Sequence, residues 1–110
     1  MTATPSLADM VAQAADLIQH NSGGRAVCSF TKAGESVPAV KYAEGRWAAL
    51  REVQRATGGG IELSGLVAAA AASWETHLDR LRSRGAGTDW IAYRTGGVDA
   101  LAELAEALRG

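Results

Sequence analysis

Leu7, Met10, Val11, Ala14, Leu17 and Ile18 follow one another at spacings of three and four, the period of a helix with one apolar stripe. Thr4-Pro5-Ser6 is a start signal for that helix. Pro suits the first turn, and Thr4 or Ser6 offers a side-chain oxygen to the free N–H groups. Asp9, three residues after Ser6, lies near the positive end of the helix dipole. Asn21-Ser22-Gly23-Gly24 ends the helix.

The period then changes. From Arg25 to Lys32 the chain alternates, with Ala26, Cys28 and Phe30 on one side and Arg25, Ser29 and Thr31 on the other. Ala33-Gly34-Glu35 can turn the chain. Ser36 to Tyr42 places Val40 and Tyr42 on one face, so the two runs read as a β-hairpin. Pro38 confines the second strand to an edge.

Helical spacing returns over residues 43–57, with Trp47, Leu50 and Val53 on the apolar side and Arg51, Glu52 and Arg55 outside. Thr57-Gly58-Gly59-Gly60 stops it. The longest helix runs from Ser64 to Arg84, with Leu66, Val67, Ala70, Trp74, His77, Leu78 and Leu81 on one broad face. Gly85 caps it, and Arg80, Arg82 and Arg84 complement its dipole. Thr88-Asp89 restarts a short helix through Trp90, Ile91 and Tyr93, which Gly96-Gly97 ends. A last helix from Val98 to Arg109 carries Leu101, Leu104, Ala105 and Leu108 on one stripe.

The pattern therefore predicts a mostly helical α+β fold: four main helices, a short fifth, and one β-hairpin packed against them. The chain has 110 residues and is expected to form a single domain over 1–110, with a flexible break at 58–60.

Composition changes the picture in one respect. Hydrophobic residues make up 47% of the chain, but 23 of those 52 residues are Ala. The five-residue run Ala68–Ala72 spans more than a turn, so Ala faces every direction around that helix. Small side chains let a second helix approach closely. The net charge of −1 argues against a strongly basic nucleic-acid binder. The longest apolar run, Leu66 to Ala72, is far short of the roughly 20 residues that cross a bilayer. Asp9 and Asp16 interrupt any signal-peptide pattern. The single Cys28 cannot form an internal disulfide, so a reducing cytoplasm is the expected compartment.

Candidate chemistry is sparse. His77 lies within about a turn of Glu75 and Asp79, a set able to move a proton. Neither His77 nor His20 belongs to a metal-ligand pattern, so no metal site is expected. Cys28 alternates inward and reads as a small buried thiol. Gly58-Gly59-Gly60 precedes a helix but lacks the Lys-Ser or Lys-Thr of a phosphate loop. No catalytic residue and no cofactor is expected, and the chain is not read as an enzyme.

Trp47, Trp74 and Trp90 lie on three different predicted helices, placed to meet in one core cluster or to anchor a partner. The leading expectation is an accessory protein that binds a second copy or a protein partner. Its contact surface would use Trp74, Leu78 and Leu81, with Ala69 and Ala72 allowing close approach. The alternative is a DNA-binding regulator with a helix-turn-helix-like segment at 77–95. There Arg80, Arg82, Arg84 and Arg94 outnumber Asp79 and Asp89 and would contact the duplex.

Overall fold

The computed structural model describes residues 6–22 and 38–109. The described residues form four helices: α1 (Leu7–Ser22), α2 (Pro38–Ala56), α3 (Leu63–Ser83) and α4 (Thr88–Arg109). There is no strand among the described residues, so they form an all-α fold, not an α+β one.

Helix α1 opens on a reciprocal cap. The Asp9 backbone N–H donates to Ser6 Oγ at 3.1 Å, and the Ser6 N–H donates to Asp9 Oδ2 at 3.3 Å. Two otherwise unpaired donors are satisfied by the Ser-to-acid spacing of three. Met10 and Ala14, from the middle of the predicted stripe, are buried.

The predicted β-hairpin is where the sequence reading fails. Its first strand, 25–32, lies outside the described residues. Of its second strand, 36–42, the described part from residue 38 onward is the start of α2. Pro38 occupies the first helical position, where its fixed φ is already helical and its missing N–H costs nothing. Val40 and Ala43 are both buried, a spacing of three rather than two.

Helix α3 begins at Leu63, with Glu62 at the cap position and no side-chain cap. It ends as predicted at Gly85. The Gly85 N–H donates to the Arg82 carbonyl at 3.1 Å and the Ala86 N–H to the Leu81 carbonyl at 3.0 Å. That paired closure needs a left-handed residue, and Gly85 has φ +64°.

The predicted short fifth helix and the last helix are one. Helix α4 runs without a break through Gly96 and Gly97, both buried. A Cβ on Gly96 would overlap the backbone carbonyl of Tyr42, and one on Gly45 would overlap that of Tyr93. The glycines are therefore the notches through which α2 and α4 touch backbone to backbone. They do not act as a stop.

That α2–α4 contact is the largest among the described helices; α1 rests on α2, and α3 rests mainly on α4. Leu50 and Val53 of α2, Val67 of α3, and Leu101 and Leu104 of α4 are fully buried between them. Burying each large aliphatic side chain contributes about 1.5–3 kcal/mol. Two polar ties flank the crossing. The Tyr42 hydroxyl donates to Asp99 Oδ2 at 2.5 Å. The Arg46 guanidinium donates through Nη1 and Nη2 to the two oxygens of Glu103, at 2.8 and 2.9 Å. The paired donors of Arg46 hold the Glu103 carboxyl below its ordinary range. Burial, reinforced by Asp99, pushes the Tyr42 hydroxyl up.

Candidate functional site

The helix face chosen from sequence divides between core and solvent. Trp74 is 4% exposed and Leu78 5%, so both belong to the core. Leu81 is half-buried, while Ala69 and Ala72 are exposed. The three tryptophans do not form one cluster. Trp47 packs beside Trp74 at the edge of the core, whereas Trp90 is 62% exposed.

The predicted DNA-contacting residues also separate. Arg80, Arg82 and Arg84 are exposed at the end of α3. At 100° per residue, Arg80 and Arg84 share a face and Arg82 points away from it. Arg80 and Arg84 flank a shallow polar cleft with Thr76, Asp79 and Ser83. Arg94 is not with them. Its guanidinium lies over the Trp74 ring at 4.6 Å and over the Tyr93 ring at 5.6 Å. The turn at 84–87 does join two helices, but the second is the long helix α4.

His77, Glu75 and Asp79 are all exposed. The His77 Nδ1 lies 2.8 Å from the Ser73 carbonyl one turn back, which occupies that nitrogen within its own helix. No group of three or more metal-binding side chains occurs among the described residues. Cys28 lies outside them.

A concave apolar site lies on the other side of the Ala-rich helix. The short turn after α3 folds α4 back along it as a helical hairpin. Trp74 fills the notch left by Gly97, whose Cβ would overlap the indole ring. Beyond Trp74 the two helices are lined by small residues, and a groove of about 450 Å³ opens between them. Ala68 and Ala71 form one wall, and Ala102 and Ala105 the other. Val67, Val98 and Leu101 lie beneath, and Leu108, 43% exposed, stands at one end. Ala68 and Ala71 belong to the alanine run singled out from sequence. The α4 wall was missed, although Ala102 and Ala105 repeat the same small-residue spacing.

No family model matches this chain, and neither a curated protein nor a solved structure matches it. Among the described residues, no helix is long and apolar enough to cross a membrane.

Proposed function

We propose that this protein is a non-enzymatic cytoplasmic interaction protein that binds a second copy of itself through the α3–α4 groove. The apolar groove walled by Ala68, Ala71, Ala102 and Ala105 carries the reading. Walls one methyl deep let a facing helix approach closely, and a self-complementary surface closes as a two-fold dimer. Two such hairpins placed groove to groove make a four-helix interface.

The charges at the groove ends favour a second copy. Glu75 lies near one end and Arg109 at the other, beside Ser64 and Leu108. Because the helices of the hairpin run in opposite directions, the two groups are separated by most of the groove, roughly 16 Å for eleven helical residues. A two-fold axis through its middle brings each Glu75 toward the Arg109 of the other copy. Arg109 now pairs with Glu106 at 2.8 Å, but both side chains are largely exposed. Such a pair is weak enough to exchange partners.

Sedimentation equilibrium tests the reading. The wild type is expected to dimerise, and Ala102→Glu to shift the midpoint to at least about tenfold higher concentration, since a buried unpaired charge opposes association. Ala102 is exposed and helical, so the circular dichroism spectrum should be unchanged. A wild type still monomeric at about 1 mM, where some 4 kcal/mol of association would be visible, overturns the proposal.

A further inference from the structure

Another cleft, of about 400 Å³, shares no residue with the α3–α4 groove and is lined by arginine and aromatic side chains rather than alanine. It lies where α2 passes the buried ring of Trp74. Trp47, Arg51 and Arg55 contribute to it at successive turns of α2, and Tyr93 and Arg94 enter from α4. Its volume falls in the range of small-molecule sites, about 300–1,000 Å³.

Three arginines line it, and none has a carboxylate partner among the described residues. Arg51 makes one hydrogen bond, to Gln54 Oε1 at 2.8 Å, which leaves most of its donors available. Arg55 is exposed. The Arg94 guanidinium lies over the Trp74 ring at 4.6 Å, a cation–π contact that restrains the side chain without neutralising it. The one carboxylate in the lining, Glu52, accepts a long hydrogen bond from the Trp74 indole N–H, at 3.4 Å. With Arg51, Arg55 and Arg94 against Glu52, the cleft carries a net charge of +2.

We infer that this cleft binds a nucleotide, its phosphate held by Arg51, Arg55 and Arg94 and its base laid against Trp47. Guanidinium forks match the paired oxygens of a phosphate, and an arginine already restrained over a ring loses less freedom when it binds one. Half-buried Trp47 lines the same cleft and supplies the aromatic surface on which a base can stack. Glu52 supplies an acceptor for an amine or hydroxyl of the nucleoside. A free nucleotide and one residue of a single strand offer this same chemistry.

Isothermal titration at low salt with adenosine monophosphate, a short oligodeoxythymidylate and inorganic phosphate tests the inference. One nucleotide probe should bind, and more tightly than inorganic phosphate. The monophosphate alone identifies a free ligand; the oligonucleotide binding more tightly identifies a strand. Arg55→Gln changes an exposed side chain and should weaken binding about tenfold, the loss of one charge-assisted contact. Trp47→Leu should reduce nucleotide affinity toward that of phosphate. The double variant Arg82→Gln/Arg84→Gln, outside the cleft, should bind as the wild type does. Failure of both nucleotide probes to bind overturns the assignment. So does phosphate binding as tightly as the nucleotide, or an equal loss in the Arg82/Arg84 variant.

Discussion

Where α4 crosses α2, glycine faces backbone; where it lies along α3, glycine faces a ring. Gly45 and Gly96 leave room for the carbonyls of Tyr93 and Tyr42, and two polar ties flank that crossing. Gly97 instead leaves room for the indole of Trp74, and past that ring the hairpin opens into a groove walled by alanine. The same device, a missing side chain, closes one interface and leaves the other partly unfilled. A contact set by backbone cannot adjust to a change of side chain. A contact set by one large ring ends where the ring ends. The second arrangement leaves an open groove between the helices, and the first is filled by backbone where the glycines meet it.

The largest expected effect tests the backbone contact. Gly→Ala inside a helix normally gains about 1 kcal/mol from propensity. Gly45→Ala or Gly96→Ala should instead cost on the order of 4 kcal/mol, because the helices must separate and the flanking core with them. That is a large share of the 5–15 kcal/mol typical of a domain. Urea unfolding measures it. A neutral or stabilising result would mean that the helices are not in backbone contact.

The ring contact should behave differently because its obstacle can be made smaller. Gly97→Ala meets the Trp74 indole, and Trp74→Leu alone opens a void. Each single change should cost roughly 2–4 kcal/mol. Together they should cost less than their sum, with a coupling of about 1–3 kcal/mol. Trp74→Leu should give no such relief to Gly96→Ala, which meets the Tyr42 carbonyl. Equal rescue of both glycine variants would erase the distinction between the two contacts.

The contrast also explains what could be read from the chain. The Ser6–Asp9 cap and the Gly85 closure were legible because both are local: residue types and spacing specify the hydrogen bonds. Gly96-Gly97 was not. A glycine pair in a helical stretch reads as a stop unless the partner is known, and that partner, Tyr42, lies 54 residues earlier. Pro38 suits an edge strand or the first turn of a helix equally, and the alternation behind the strand rested on Val40 and Tyr42 alone. For the candidate site, one wall was visible in Ala68–Ala72. Trp74 and Leu78 were assigned to a partner because periodicity finds an apolar face without saying what covers it. Charge was legible as composition only. The sequence places Arg51 and Arg55 on the outer side of α2, but that they line one cleft with Arg94 depends on how α2 and α4 cross.

The smallest effect concerns the polar tie at the crossing. Glu103→Gln removes the acceptor charge of the Arg46 pair. The Arg46 side chain is 16% exposed and that of Glu103 57%, so solvent screens the pair and the loss should be about 1 kcal/mol or less. Its pH dependence is the sharper readout. The folded protein holds Glu103 below its ordinary value, so unfolding takes up a proton and stability rises with pH through that window. The contribution is complete above the ordinary glutamate value, about 4.3, and disappears as pH falls through the lower folded value. The stability difference between wild type and Glu103→Gln should therefore be flat near neutrality and close only on the acid side. A difference that persists below the folded value would assign it to altered packing at the crossing, and the ion pair would then contribute nothing to holding α2 on α4.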